Sequence, residues 1–262
     1  MTLGLQGKVA MVAGASRGLG FAVARALARE GVQVSMSSRS REAIASAAAA
    51  IEKGTGAAVL ATPADLRSTQ DIAAWHRATL DRFGGIDLLY PNAGGPPPGP
   101  ALVFDDAAWQ DAFELLLLSA IRLIRLAVPT IEARGGGAIV LPTSSAVKEP
   151  IPNISLSNVM RASVASLSKT LALELAPKNI RVNQLIPGRI QTDRVNEIDI
   201  ENAKRASISV ERQRKRVWAG IPMGRYGDPE NFAAAAVFLF SDAASYITGA
   251  SLQVDGGLIR GI

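Results

Sequence analysis

A glycine-rich turn is the first place in this sequence where residue types and spacing imply chemistry. Gly14, Gly18 and Gly20 form a Gly-x-x-x-Gly-x-Gly arrangement between the apolar run Val9 to Ala13 and the amphipathic run Phe21 to Ala28. A strand that enters such a turn and leaves as a helix can bind phosphate, because glycine lets backbone N–H groups close on an anion at the helix's positive end. Gly14, Ser16, Arg17, Gly18, Leu19 and Gly20 are the candidate contacts. The spacing differs from the Gly-x-Gly-x-x-Gly of the commonest dinucleotide folds, and taken alone it also fits an ordinary tight turn.

A dinucleotide on that turn would lay its adenosine ribose at the end of the second strand, Val32 to Ser37, where an acidic residue usually marks NAD selectivity. Here the chain reads Ser37-Ser38-Arg39-Ser40-Arg41, with no carboxylate. Arg39 with Arg17 makes a cationic clamp for a 2′-phosphate, and Ser38 adds a hydroxyl donor, which favours NADP(H) over NAD(H). The competing reading makes Arg39 and Arg41 exposed cap residues of a helix over Arg41 to Lys53. After a third strand, Ala57 to Ala61, the pair Asp65-Leu66 offers a carboxylate and a backbone amide to an adenine ring. Asp65 equally suits a turn ahead of the helix Ser68 to Phe83.

The elements that must position these groups alternate strand and helix. The helix Gly18 to Glu30 ends at Gly31, Gly54 and Gly56 break the next, and Gly84-Gly85 leads into a fourth strand, Ile86 to Tyr90. That strand ends in Asn92-Ala93-Gly94-Gly95, a small-residue turn that lets backbone approach a ligand at the carboxyl edge of a sheet. The alternation predicts an α/β, doubly wound parallel sheet. Pro96 to Pro100 is too short for a domain linker, so residues 1–262 read as one domain.

Composition narrows the function. The 262 residues are 48% hydrophobic and 19% charged, enough for a sizeable core. There is no cysteine, hence no disulfide or thiol chemistry, and no apolar run approaches the ~20 residues of a membrane span. The expectation is a soluble cytoplasmic protein. The net charge of +5 raises nucleic acid as a partner, but the basic residues are scattered, apart from Arg212, Arg214, Lys215 and Arg216, and only 5% of residues are aromatic. That run reads as a solvated helix face, and a basic site for an anionic ligand stays open. His76, beside Trp75, has no second histidine or cysteine to share a metal, so it reads as structural and no metal site is expected.

Taken together, the chain resembles the short-chain dehydrogenase/reductase family. The resemblance rests on Gly14, Gly18 and Gly20, on Asn92-Ala93-Gly94, and on the run Ile139 to Ser144. Further along it rests on Pro187-Gly188-Arg189-Ile190-Gln191-Thr192 and on the tail Leu252 to Gly257. It implies a seven-stranded, Rossmann-like sheet in three α/β/α layers. It also implies that Asn92, Ala93 and Gly94 support the cofactor's ribose side, while Pro187, Gly188, Ile190 and Thr192 hold the nicotinamide carboxamide. A lid-like substrate segment is expected over 193–220, and relatives are frequently tetramers built on Ala107 to Ala133, Asn153 to Ala176 and the C-terminal strand.

The family's catalytic pattern is only partly met. Registered on Trp109, the helix asparagine position falls on Leu116. The serine is Ser144, the tyrosine position falls on Ser157, and the lysine position falls on Arg161. Sliding by one residue brings Asn158 and Ala162 instead, so no register supplies the pair. Ser144, Ser157 and Arg161 are the candidate catalytic residues, and Arg161 is also a candidate grip on the cofactor ribose. A serine hydroxyl is a far weaker acid than a tyrosine, whose ordinary pKa is about 10. The proton would then come from water, or from Lys148 if that side chain turns inward. The resemblance implies an NADP(H)-dependent interconversion of a carbonyl and an alcohol, with an anionic or carrier-linked substrate compatible with the basic lid. The alternative is a dinucleotide-binding sensor or assembly protein.

Overall fold

The computed structural model describes residues 3–261. Seven strands form one parallel sheet in the order β3-β2-β1-β4-β5-β6-β7. They are β1 (Val9–Val12), β2 (Gln33–Ser38), β3 (Val59–Pro63), β4 (Leu88–Tyr90), β5 (Gly137–Pro142), β6 (Ile180–Pro187) and β7 (Ser251–Val254). Their apolar character on both faces follows from helices covering both sides. Ala10, Val12, Leu88, Tyr90, Ala138 and Val140 face α1 (Gly18–Arg29), α2 (Arg41–Thr55) and α9 (Pro229–Phe240). The alternate residues Met11, Leu89, Ile139 and Leu141 face α3 (Thr69–Phe83), α4 (Asp106–Phe113), α5 (Ser119–Ala133) and α6 (Ser155–Leu175). Each large side chain fully buried in these layers, such as Trp75 or Phe232, contributes about 1.5–3 kcal/mol.

Register is fixed by more than hydrophobic pattern. The buried Asp87 carboxylate accepts from Val9 N at 2.7 Å and from Arg134 Nε at 2.7 Å, tying β1, β4 and the end of α5 together. β1 has β2 on one side and β4 on the other. The chain therefore reverses its winding there and opens a crevice above the carboxyl ends of these strands.

Several boundaries differ from the sequence expectation. Gly54 lies inside α2, which runs on to Thr55, and Gly56 ends it with φ 73°. Thr55 Oγ1 then accepts from Ala57 N, so β3 starts at Val59 instead of Ala57. The long helix expected from Ala107 to Ala133 is interrupted by a π-helical turn, Glu114–Leu118, between α4 and α5. α6 starts at Ser155, since Asn153 adopts φ 62° and cannot belong to a right-handed helix.

Candidate functional site

The glycine turn sits over the crevice and is held from both sides. Ala13 N donates to Tyr90 O at 3.0 Å, Ala15 N to Ser37 O at 2.9 Å, and Asn92 Nδ2 to Gly14 O at 3.3 Å. The glycines have separate reasons. A Cβ on Gly20 would come within 2.3 Å of Gly14 O, and one on Gly14 within 2.8 Å of Asn92 Nδ2, so both are needed for packing. Gly18 opens α1 with φ 61°, and its Cβ would meet nothing nearer than Thr192 Cγ2 at 3.9 Å. Its open side leaves the positive end of α1 uncovered, the kind of place at which anions are bound. Ser16, Leu19 and Gly18 are partly exposed at this mouth and Arg17 is exposed.

At the adenosine end, Ser38 Oγ donates to Ser40 O at 3.3 Å and Arg39 is exposed beside it. The cap of α2 is Ser40, which accepts from Ala43 N, so Arg39 is not needed for capping. Asp65 is already engaged. Its carboxylate accepts from Arg67 Nη2 at 2.9 Å and Nε at 3.2 Å, and these bonds hold its pKa below the ordinary carboxylate value. Its own amide donates to Asp71 Oδ2 at 2.9 Å, and Leu66 is buried in the core. Asp65 Oδ1 also accepts from Arg67 N at 3.0 Å, the turn contact that its position allows.

The segment Pro187 to Thr192 crosses the opposite end of the crevice. Gly188 N donates to Val254 O at 2.9 Å, and a Cβ at Gly188 would lie 2.5 Å from Asp255 Cα, which explains the glycine. Ile190 is buried and pairs with Gly227, and Thr192 caps α7 (Asp193–Arg205) by accepting from Val195 N at 3.4 Å. These contacts bring Thr192 opposite Gly18, while Asn92 is bonded to Gly14 of the same turn, with Ala93 buried and Gly94 exposed after it.

The catalytic candidates gather at the ends of β5 and α6. Ser144 Oγ accepts from Ala146 N at 3.1 Å, which leaves its O–H to donate outward. Ser157 lies in the first turn of α6 and Arg161 is four residues on, hence on the same face. Arg161 donates from Nη1 to Pro142 O at 2.9 Å and from Nη2 to Ala93 O at 3.2 Å, spanning the ends of β4 and β5. Burial lowers the pKa of the guanidinium, and the Tyr90 hydroxyl opposes that shift. Both carbonyls accept from the charged form, so it stays a cation at neutral pH. Leu116 is buried within the π-helical turn, an apolar side chain at a helix distortion of a kind often found at functional sites. Lys148 is exposed.

A polar cluster under the lid was not anticipated. Asp199, 1% exposed on α7, accepts from Tyr226 Oη at 2.9 and 3.1 Å, and Arg214 Nε of α8 (Val210–Ala219) lies 3.7 Å away. Burial and this carboxylate together raise the Tyr226 pKa. Asn196 accepts from Arg214 Nη2 at 3.1 Å and from Gln191 Nε2, linking the cluster to the segment that carries Ile190 and Thr192. Trp218 packs edge-on to Tyr226 with ring centroids 5.9 Å apart. Arg214 is thus withdrawn from the basic run that the sequence assigns to solvent. Its i,i+4 spacing to Trp218 on one helix face was the available signal.

A parallel sheet whose winding reverses beside a glycine turn, faced by the segment Pro187 to Thr192, defines a dinucleotide-binding α/β protein of the Rossmann type. Comparisons with known proteins narrow this. The family described as Enoyl-(Acyl carrier protein) reductase matches residues 14–259. Dehydrogenase/reductase SDR family member 4 of Homo sapiens is 36% identical over 254 residues, covering 97% of this chain and 88% of that protein. The 3beta-hydroxysteroid dehydrogenase 1 of Eggerthella lenta is 37% identical over 257 residues, covering 97% and 94%. The solved L-sorbose reductase of Gluconobacter frateurii superposes with a TM-score of 0.96 at 33% identity, over 100% of both chains. The chain belongs to the short-chain dehydrogenase/reductase family, whose members are NAD(P)-dependent oxidoreductases of carbonyls and alcohols.

Proposed function

We propose that this protein is an NADP(H)-dependent oxidoreductase that interconverts a carbonyl and an alcohol without the family's tyrosine–lysine pair. The observation that carries the reading is the open face of Gly18 opposite Thr192, with Arg17 exposed next to it, Arg39 exposed after β2 and no acidic residue between Ser37 and Arg41. The L-sorbose reductase of Gluconobacter frateurii was solved with NADPH and L-sorbose, which supports the same cofactor and a small carbonyl substrate. The bound nicotinamide would supply the hydride. Ser144, its oxygen pinned by Ala146 N, donates its O–H to the substrate oxygen, and Ser157 adds a second hydroxyl. Arg161 supplies a fixed cation that offsets negative charge on that oxygen and grips the ribose, while its charge is too persistent for proton relay. Water delivers the proton.

The lid over 193–220 holds seven basic residues against five acidic ones, which supports an anionic or carrier-linked substrate. The apolar residues Val159 and Leu173, 48% and 71% exposed on α6, support self-association, a homotetramer by family likeness. The absence of cysteine supports a reducing compartment, the cytoplasm. Among the described residues no helix is long and apolar enough to cross a membrane.

One observation favours a second reading, a dinucleotide sensor without turnover: Arg161 is already committed to two backbone carbonyls. Titration with NADPH and NADH, followed by nicotinamide absorbance over a ketone and acyl-thioester panel, separates the two. NADPH oxidation establishes the reductase. Tight binding without oxidation, in both the native protein and Ser157→Tyr with Arg161→Lys, establishes the sensor. Failure to bind either dinucleotide refutes both.

A further inference from the structure

We propose that Glu197, on α7, limits the preference for 2′-phosphorylated over 2′-hydroxyl dinucleotides by competing with the phosphate for Arg17. The inference rests on the NADP(H) reading above. Arg17 precedes Gly18 at the start of α1, and its Nη1 lies 3.8 Å from Glu197 Oε1. The other carboxylate oxygen of Glu197 lies 3.6 Å from Arg194 Nη1 on the same helix. Arg17 is therefore the residue common to two sites: the glycine turn, where a 2′-phosphate would claim it with Arg39, and the lid, where Glu197 claims it.

The two claims exclude each other in charge. A phosphate monoester carries between one and two negative charges near neutral pH and draws Arg17 as a bidentate donor. Glu197 would then lose its cross-groove cation while a second anion arrived nearby. A 2′-hydroxyl makes no such demand, so the Arg17–Glu197 pair persists when NAD(H) binds. Both side chains are mostly exposed, which caps the pair at about 1 kcal/mol, or about fivefold in affinity.

The contact also has a mechanical consequence, because α7 does not stand alone. Asn196 is bonded to Gln191 and to Arg214, and Asp199 to Tyr226, so α7, α8 and the 189–192 segment form one connected unit. Glu197 joins that unit to the glycine turn. A 2′-phosphate that removes Arg17 loosens the lid's hold on the turn, and by linkage a lid displaced by substrate frees Arg17 for the phosphate.

The test is a binding measurement. Wild type, E197Q, R17Q and R17Q/E197Q are titrated with NADPH and with NADH by nicotinamide fluorescence, with E201Q as a control for net charge, since Glu201 pairs with Arg205. The expected result is about two- to fivefold tighter NADPH binding by E197Q and unchanged NADH binding, with the gain abolished in the R17Q background. E201Q is expected to match wild type. Unchanged NADPH affinity in E197Q, an equal gain for NADH, or the same gain without Arg17 overturns the inference while leaving the cofactor reading standing. Failure of wild type to bind either dinucleotide overturns that reading and this inference together.

Discussion

Two alanine substitutions two residues apart, at Gly18 and Gly20, separate binding from packing in the glycine turn. Gly18→Ala places a Cβ where the nearest atom is 3.9 Å away, so the protein itself resists it only through φ 61°. The left-handed conformation costs a non-glycine residue about 1–2 kcal/mol. For a chain of this size that lowers Tm by roughly 2–8 °C. The same methyl projects into the space assigned to a phosphate. Losing one charge-assisted backbone contact there costs about 1.5–3 kcal/mol, or about 10- to 150-fold in NADPH affinity. Gly20→Ala is the converse case, because its Cβ would stand 2.3 Å from the backbone oxygen of Gly14 and the turn must shift. Its penalty belongs with overpacking, about 1–3 kcal/mol or more. Thermal denaturation and nicotinamide fluorescence titration on the same preparations read both effects. A folded Gly18→Ala protein that binds NADPH within about twofold of wild type refutes the placement of the phosphate.

Three further outcomes follow from the same geometry. Ser144→Ala removes a hydroxyl donor and is expected to lower kcat about 100- to 1000-fold while leaving NADPH affinity unchanged; equal kcat in a steady-state assay excludes Ser144 from the reaction. Tyr226→Phe removes the hydroxyl that donates to the buried Asp199 carboxylate, at a cost of about 1.5–3 kcal/mol, so a melting temperature within a degree of wild type contradicts the cluster. Burial lowers the pKa of His76 in the folded chain, opposed by the Leu126 carbonyl, so the unfolded chain binds its proton first as pH falls. The stability contributed by neutral His76 is full above about pH 6.5 and declines below it. Melting curves between about pH 5 and pH 7.5 should therefore show a smaller acid loss for His76→Gln than for wild type.

How far the sequence disclosed these features depends on the range of the interaction. The glycine turn, the strand–helix alternation and the parallel sheet were legible because each depends on local backbone needs: Gly18 at positive φ, and apolar strands covered on both faces. Gly54 misled because a glycine is tolerated within a helix at about 1 kcal/mol, and only Gly56 takes the left-handed conformation that ends α2. Asp65 was ambiguous for a different reason. Its partner Arg67 is two residues away, and a short-range ion pair carries no pattern that distinguishes it from a ligand-binding carboxylate. The Asp199 cluster escaped the sequence reading because it joins residues 27 positions apart, and the i,i+4 spacing of Arg214 and Trp218 alone does not name Asp199 or Tyr226 as partners.

The substitutions at the catalytic positions change what the α6 end can do without emptying it. A lysine at position 161 would offer one compact, mobile ammonium. Arg161 instead presents a planar fork that two carbonyls, from Ala93 and Pro142, hold in place. That arrangement fixes a charge beside the crevice and joins two strand ends that carry ligand-facing residues. With a serine at position 157, no side chain of ordinary acidity stands on that helix face to exchange a proton with the substrate. Arg161 can stabilise charge but cannot remove it. Turnover by such a site would then depend on how readily water reaches the substrate oxygen, and the observed rate should carry a solvent deuterium isotope effect that Ser157→Tyr with Arg161→Lys alters. A reaction whose solvent isotope effect is identical in the native and doubly substituted proteins would place the proton donor elsewhere in the crevice.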